Sequence, residues 1–288
     1  MEFLDQKEGV LSDLDTLKLK KIAVDCRIDM LKALANAQSG HSAGPLGIIE
    51  FFVAMYFKIL HHDPKNPLLP DRDRFILSAG HYCPAMYVAM AHSGYFPVQE
   101  FIKTLRQFET RFQGHPHNLA LPGIETTSGP LGQGISQAVG MALAAKIDKK
   151  NHRVYCLTTD GESQEGQVWE ALMWAGGKNL DNLTAYIDRN FIQIDGNTED
   201  VLPLEPLADK YRAFNWHVIE VDGHNFQQIT EATDEAKAVH RPTMIILHTI
   251  PGKDVKEIEN DYTWHGRPPT HDELKKFLPE LEKIKKSL

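Results

Sequence analysis

Two short polar segments in the middle of the chain carry residue types that bind a divalent cation. The first contains Asp160 followed by Gly161, and the second contains Asn190 followed closely by Ile192. Mg²⁺ prefers about six hard oxygen ligands and normally shares its shell with phosphate oxygens, so the protein supplies only a few of them. The carboxylate of Asp160, the amide oxygen of Asn190 and the carbonyl of Ile192 would suffice. The two segments predict a magnesium and diphosphate site.

The surrounding pattern explains how Asp160 and Asn190 could meet. Residues 154–158 and 183–188 are short apolar runs, and residues 167–179 between them have helical patterning, which predicts a βαβ unit. Ligands of open α/β sheets bind outside the carboxyl ends of the strands, where both residues fall. An Asp-Gly pair after a strand is ordinarily only a turn. The prediction therefore depends on Asn190 following a neighbouring strand.

Four histidines stand in short segments marked by glycines, by a predicted strand end or by a following proline. The protein has fourteen histidines, and most histidines in proteins are structural or lie at the surface. An imidazole titrates near neutral pH, which suits proton transfer to and from a bound substrate. The four candidates lie in the glycine-rich segment 40–47, after the predicted strand 75–77, in a Gly-His-Pro segment and in the segment 263–268; they are His41, His81, His115 and His265.

The remaining pattern predicts an α/β fold with a mostly parallel sheet and helices on both faces. Apolar periodicity and turn residues divide the chain into alternating helices and strands, with no internal repeat. We expect residues 1–288 to form a single domain. Helices are predicted over 14–37, 48–60, 82–92, 203–215, 226–239 and 270–288, and further strands over 75–77, 217–221 and 242–248.

Composition narrows the possible partners and the location. The net charge of −8 gives no electrostatic reason to expect nucleic acid or an anionic membrane. The three cysteines show no metal-binding or disulfide spacing, which fits a reducing compartment. Residues 1–15 are acidic and mixed, unlike a targeting signal. Residues 48–60 are too short and too charged to span a bilayer. We expect a cytoplasmic protein.

Six motifs in this sequence resemble those of transketolases and occur in that family's order. The resemblance covers residues from about 17 to 269. The length and the Asp-Arg-Asn variant resemble the N-terminal, diphosphate-binding subunit of a split transketolase. The motifs are Ser39-Gly-His41 with Pro45-Leu46-Gly47, Leu77-Ser-Ala-Gly80-His81, Gly114-His115-Pro116, Gly129-Pro-Leu-Gly-Gln-Gly134, Asp160-Gly161 with Glu165-Gly166, and Asp188-Arg-Asn190 to Gly196.

The resemblance implies a thiamine diphosphate-binding fold and a role for each motif. It implies that Asp160, Asn190 and the Ile192 carbonyl hold Mg²⁺, in whose place Ca²⁺ or Mn²⁺ can bind. His41, His81, His115 and His265 would surround the reacting carbon and the substrate hydroxyls as catalytic residues. The residues implied to bind the cofactor are His81, Gly129, Leu131, Gly161, Glu162, Asn190, Ile194 and His265.

The resemblance also implies a partner. In this family the glutamate that hydrogen-bonds the aminopyrimidine ring of the cofactor belongs to a pyrimidine-binding domain, and no segment here matches that domain or the C-terminal domain. We expect both on a separate C-terminal transketolase subunit, in an α2β2 heterotetramer, and we expect this chain to be inactive alone. The implied reaction transfers a two-carbon ketol unit from a ketose phosphate to an aldose phosphate in the pentose phosphate pathway.

Two alternatives and two departures remain open from the sequence. The chain could belong to another thiamine diphosphate enzyme, of the 1-deoxyxylulose 5-phosphate synthase or 2-oxoacid dehydrogenase α-subunit type, or be a non-catalytic interaction subunit with the same fold. Thr159 stands where relatives usually have a glycine, and Pro251 replaces a basic residue of the loop after residue 248. Neither departure touches a predicted metal ligand.

Overall fold

The computed structural model describes residues 10–288. These residues fold around one parallel sheet of five strands. The strand order is β1-β2-β3-β7-β6, and every neighbouring pair in it is parallel. A two-stranded antiparallel ribbon, β4 with β5, forms a second sheet. The predicted α/β class with a mostly parallel sheet is confirmed. The strands are β1 Arg74–Leu77, β2 Val154–Thr159, β3 Leu183–Arg189, β4 Ile192–Gln193, β5 Gly196–Asn197, β6 His217–Asp222 and β7 Thr243–His248.

Helices cover both faces of the sheet, because its strands are apolar on both sides and each face needs a covering layer. One buried cluster joins the sheet to α1, α3, α4, α5, α10 and α11, and a second joins it to α6, α7 and α9. The helices are α1 Asp13–Ala37, α2 Ala43–Gly47, α3 Ile49–Ala54, α4 Cys83–Ser93, α5 Val98–Thr104, α6 Gln133–Ile147, α7 Gly166–Gly177, α8 Thr198–Val201, α9 Leu207–Ala213, α10 Phe226–Ala238 and α11 His271–Ser287.

The predicted βαβ unit consists of β2, α7 and β3. Strands β2 and β3 are hydrogen-bonded neighbours, and Thr159 lies opposite Asp188 in their register. The amide of Asp160 donates to the carbonyl oxygen of Asp188 at 3.1 Å, just beyond the end of β2. Asp160 and Asn190 therefore leave the sheet at the same edge, as predicted.

Several local predictions needed correction. The glycine-rich segment 40–47, for which no helix was predicted, contains α2, whose Gly44 lies under the Tyr82 ring; a Cβ there would overlap the Tyr82 hydroxyl. The helix predicted over 48–60 changes after Ala54 into a π-helical turn, Met55–Ile59. The helix predicted from residue 203 begins only at Leu207, since Pro203 and Pro206 interrupt the backbone hydrogen bonding.

The structure describes only part of the N-terminal segment in which no targeting signal is expected. Residues 1–9, on which the expected lack of a targeting signal largely rests, lie outside the described residues. Within residues 10–288, no helix is both long and apolar enough to cross a membrane.

Candidate active site

A cavity of about 370 Å³ opens at the edge where the sheet strands end. It is bordered by segments that come from the N-terminal third, the centre and the C-terminal fifth of the chain. The structure brings together most of the residues that the sequence singled out; those lining the cavity are His41, His81, His115, Gly129, Leu131, Gly161, Glu162, Ile192, Ile194 and His265.

Three of the predicted histidines form a tight group, here called the histidine wall, consisting of His41, His81 and His265. The ring centroids lie 4.8 Å apart for His41 and His81, 5.4 Å for His41 and His265, and 5.3 Å for His81 and His265. His115 lies at the more open side, against Gly129. Three separate loops thus direct imidazoles to one point.

The histidine wall is desolvated and short of partners. His41 Nδ1, His81 Nε2 and His265 Nδ1 are buried and have no hydrogen-bond partner within residues 10–288. Burial, with the neighbouring His265, lowers the pKa of His41 to about 3. Burial also lowers the pKa values of His81 and His265. The rings are therefore neutral at pH 7, and each has one buried nitrogen without a hydrogen-bond partner.

Below the cavity lies a second group, here called the oxygen cluster, consisting of Asp160, Asp188 and Asn190. Asn190 Nδ2 donates to Asp188 Oδ2 at 2.7 Å and to the Tyr82 hydroxyl at 2.9 Å, and that hydroxyl donates to Asp188 Oδ2 at 2.8 Å. The Thr249 hydroxyl donates to Asp188 Oδ1. The side chain of Asn190 is thus fixed, and its Oδ1 accepts from the Ile192 amide at 3.0 Å.

Arg189 contacts the oxygen cluster through Asp160, and the sequence pattern did not predict this contact. Its NH1 donates to Asp160 Oδ2 at 3.2 Å, and its NH2 donates to Glu199 at 2.7 Å and Glu205 at 2.9 Å. Its guanidinium carbon lies 3.8 Å from the centre of the Phe191 ring. Side chains alternate between the two faces of a strand. Arg189 lies between Asp188 and Asn190, so its side chain should point away from both of theirs, and this alternation was the signal that the sequence offered.

The carboxylates of the oxygen cluster lie in an environment that disfavours their charge. Burial, together with the neighbouring Asp188, raises the pKa of Asp160 to about 7 even though Arg189 lowers it. Burial raises the pKa of Asp188 to about 6. Two buried carboxylates with a single guanidinium beside them hold surplus negative charge, which a cation would neutralise.

The donor set fits a hard cation only if further oxygens come from a ligand. Among residues 10–288, no three His, Cys, Asp or Glu side chains form a group that could hold a metal ion. The predicted set contains one carboxylate, so it would not form such a group. Asp160 Oδ1 accepts from the Gly161 amide at 2.8 Å, so this amide, predicted to bind the diphosphate, is engaged within the protein.

Glu162 organises the cavity edge from inside the protein. Its carboxylate accepts from the Gly132 amide at 2.7 Å and the Thr159 amide at 3.3 Å, and also from the Ser78 hydroxyl. Burial raises its pKa to about 7. The side chain therefore joins the ends of β1 and β2 to the start of α6. Its contact with the cofactor stays a prediction.

The loop that follows β7 contains Pro251, and its backbone amides hydrogen-bond to neighbouring segments. The Ile250 amide donates to His224 Nε2 at 2.8 Å, and the Gly252 amide donates to the Ala43 carbonyl at 2.7 Å. His224 Nδ1 lies 3.3 Å from Glu50, which also accepts from Arg27 at 2.7 Å. His224 follows the strand predicted over 217–221, and no role was predicted for it.

Comparison with known proteins identifies the family. Residues 19–282 match the family described as transketolase, thiamine diphosphate binding domain. The chain is 46% identical over 254 residues to the 6-deoxy-6-sulfo-D-fructose transketolase subunit of Clostridium sp. strain MSTE9, covering 88% of this chain and 92% of that protein. It is 38% identical over 259 residues to an apulose-4-phosphate transketolase subunit of Phocaeicola vulgatus, covering 89% and 92%.

Solved structures extend the match to the fold. Transketolase from Leishmania mexicana superposes with a TM-score of 0.86 at 31% sequence identity, over 95% of this chain and 42% of that chain. Transketolase from Campylobacter jejuni superposes with a TM-score of 0.85, over 93% and 42%. The chain thus spans about two fifths of the length of these transketolases, but nearly all of the relatives named as subunits. This protein belongs to the transketolase family and carries that family's thiamine diphosphate-binding domain, as the N-terminal subunit of a split transketolase does.

Proposed function

We propose that this chain is the cofactor-anchoring subunit of a transketolase that depends on thiamine diphosphate and Mg²⁺. The enzyme moves a two-carbon ketol unit from a ketose phosphate to an aldose phosphate. One observation carries the proposal: the unpartnered histidine wall lines a cavity together with Gly161 and Ile192, which are near neighbours of Asp160 and Asn190 in the chain, at the strand ends where α/β proteins bind ligands.

The two groups have separate tasks in this proposal. The bound cofactor supplies the nucleophilic carbon that takes up the ketol unit. Asp160, Asn190 and the Ile192 carbonyl would hold Mg²⁺ beside the diphosphate, and Leu131 and Ile194, which line the cavity, would contact the cofactor ring. A buried carboxylate with a raised pKa gains most from a cation, because the metal removes the surplus charge.

The histidines orient the sugar and move its protons. His41, His81, His115 and His265 have pKa values lowered by burial and are neutral, and a neutral imidazole can accept a hydroxyl proton at one ring nitrogen or donate to a carbonyl oxygen from the other. A cationic imidazole could not accept a proton. The buried wall also keeps water away from the reacting carbon, which strengthens each of these hydrogen bonds.

A partner chain completes the site. Residues 1–288 act as a single diphosphate-binding domain, and the glutamate that contacts the aminopyrimidine ring comes from a C-terminal transketolase subunit in an α2β2 assembly. The two relatives are named as subunits, and this chain covers 92% of either one, which supports a divided enzyme. We place the assembly in the cytoplasm.

The sugar preference is proposed in two forms. The first is the ketose phosphate and aldose phosphate pair of the pentose phosphate pathway. The second is a ketose with a sulfonate in place of the terminal phosphate, because the relative with 46% identity is named for 6-deoxy-6-sulfo-D-fructose. Either donor carries a terminal anion and the same ketol end, which is the end that the histidines face. Other thiamine diphosphate enzymes are less favoured, since the matched relatives are named transketolases.

The test is reconstitution with the product of the adjacent open reading frame. The co-purified chains are assayed for ketol transfer with phosphorylated and sulfonated ketoses, with Mg²⁺ and with EDTA. We expect transfer only when both chains, the cofactor and Mg²⁺ are present, and none when Asp160→Ala replaces the wild-type chain. Transfer by this chain alone would contradict the divided site, and a complex that binds cofactor without turnover would favour the non-catalytic alternative.

A further inference from the structure

Arg106 lies between the two segments that carry His41 and His115. It follows α5 and adopts a positive φ of 57°. Its amide donates to the Phe112 carbonyl at 2.9 Å, which closes the loop of residues 106–112. This backbone conformation is uncommon for a residue other than glycine. It directs the side chain back toward residues 39–41 and 114–115.

The guanidinium of Arg106 binds both loops at once. NH1 donates to the Ser39 hydroxyl at 2.9 Å, and NH2 donates to the Gly114 carbonyl at 3.0 Å. Ser39 lies two residues before His41, and Gly114 lies directly before His115. A planar group with donors in a fixed fork can hold two partners at a set separation, which a lysine cannot do.

Gly114 makes room for the guanidinium. A Cβ on Gly114 would lie 2.6 Å from Arg106 Cζ and 2.8 Å from its Nε, so any other residue there would displace the guanidinium. A Cβ on Gly40 would lie 3.7 Å from Nε, an ordinary contact distance, and Gly40 is required there by Leu34 Cδ2 at 2.5 Å and by its φ of 131°. Each glycine directly precedes a predicted catalytic histidine, so the guanidinium fills the space between the two loops.

We infer that Arg106 is a positioning residue that sets the separation of His41 and His115 at the cavity. This inference rests on the proposed function, because it deepens the role of the same site. The geometry gives one guanidinium two strong contacts, each within two residues of a histidine, while the side chain stays behind the residues that line the cavity. Removing it would release both loops together, whereas removing a contact to one loop would not.

The charge of Arg106 provides a second, separable effect. Burial is the largest cause of the lowered pKa of His115, and the charge of Arg106 is the second. Burial is also the largest cause of the low pKa of His41, followed by His265 and then by Arg106. The pKa of His265 is lowered by burial alone. Arg106 thus distinguishes His41 and His115 from His265, which serves as an internal reference.

The test combines imidazole NMR titration of the full chain with kinetics of the reconstituted enzyme. The variants are Arg106→Met, which removes charge and fork, and Arg106→Lys, which keeps only the charge. Arg111→Met is the matched control, since Arg111 pairs with Glu100 and lies against Phe96 and Phe112. Titration signals are assigned with single His→Gln variants, and thermal unfolding confirms that each variant folds.

We expect Arg106→Met to raise the titration midpoints of His41 and His115 while that of His265 stays in place. Arg106→Lys should keep the midpoints close to wild type, yet both variants should lose about tenfold or more in kcat with a smaller change in KM. Wild-type kcat in Arg106→Lys, or unmoved His41 and His115 midpoints in Arg106→Met, would overturn the inference. The titrations need no activity, so failure of the proposed transfer reaction is distinguishable from failure of this inference.

Discussion

The histidine wall lines the cavity and the oxygen cluster is buried behind it, and the two groups are built in opposite ways. The polar atoms of the oxygen cluster bond to one another, to Tyr82, to Thr249 and to Arg189, so the protein itself fixes their positions. The histidine wall has buried nitrogens without a partner in the part of the chain that the structure describes. An internally bonded group contributes to the fold before any ligand binds, whereas an unpartnered group gains its hydrogen bonds only with a ligand.

Substitutions in the two groups should therefore differ in how much they affect stability and how much they affect function. Changes in the oxygen cluster break hydrogen bonds of the folded chain and should affect both stability and cofactor binding. In the histidine wall the buried ring nitrogens have no partner, so a substitution breaks no internal hydrogen bond at these atoms. Such a substitution should lower the rate of turnover far more than the free energy of unfolding. Four experiments test this separation.

The largest effect should come from His41→Ala in the reconstituted enzyme. Loss of one positioned proton-transfer group typically lowers the rate about 10²- to 10⁴-fold. Steady-state kinetics of ketol transfer should show this loss in kcat, with little change in thermal unfolding. His117→Ala is the control, since His117 does not line the cavity and its ring accepts from the Leu119 amide. Similar losses in both variants would remove the special role of His41.

Asn190→Ala should destabilise the chain even without ligand. It deletes two hydrogen bonds from Nδ2 and leaves the buried Ile192 amide without its acceptor. The cost of such a change is about 2–4 kcal/mol in the free energy of unfolding. Chemical denaturation of the isolated chain measures it, beside His265→Ala from the wall. An Asn190→Ala chain as stable as wild type would mean that the oxygen cluster is not prearranged.

The two groups should shift stability with pH in opposite directions. The lowered pKa of His41 means that the unfolded chain takes up a proton first as the pH falls from about 6.5 toward 3, so stability drops in that window. The raised pKa of Asp160 means that stability drops as the pH rises from about 4 through 7. Each group contributes at most about 1.4 kcal/mol per pH unit.

Two variants isolate these slopes in urea unfolding measured across pH. His41→Gln should lose less stability than wild type on acidification from about 6.5. Asp160→Asn should lose less than wild type as the pH rises toward about 7, to which burial raises the pKa of Asp160. Parallel curves for wild type and either variant would show that the group in question does not titrate abnormally.

The smallest effect should come from the outer end of the Arg189 network. Glu205 is 54% exposed and accepts from Arg189 NH2 at 2.9 Å. An exposed ion pair contributes about 0–1 kcal/mol, so Glu205→Gln should change the unfolding midpoint by only a few degrees and cofactor affinity by about threefold or less. A larger loss of affinity would mean that Glu205 acts as a functional part of the oxygen cluster.

The site could be located from the sequence because its main elements are local. The strand runs before Asp160 and Asn190, and the glycine motifs around His41 and His115, are written in short stretches of sequence. The alternation of apolar runs and helical segments also predicted the parallel sheet, since that connection requires a crossover helix. These features depend on neighbours along the chain.

The supporting contacts could not be predicted, because they join segments far apart in sequence. Tyr82 contacts Asp188 and Asn190, and Arg106 contacts Ser39. No pattern in the neighbourhood of Tyr82 or Arg106 marks these partners, which are selected by the tertiary packing of loops. The short helix α2 was missed for a similar reason, since Gly44 fits under the Tyr82 ring only in the folded chain.

The central claim is that the oxygen cluster anchors the cofactor while His41 acts on the substrate. Isothermal titration of thiamine diphosphate into the reconstituted enzyme, with Mg²⁺ and with EDTA, tests it most directly for wild type, Asp160→Ala and His41→Ala. We predict that Asp160→Ala abolishes the Mg²⁺-dependent binding, a loss of about 100-fold or more, whereas His41→Ala binds within about threefold of wild type. Unchanged cofactor affinity in Asp160→Ala would contradict the claim.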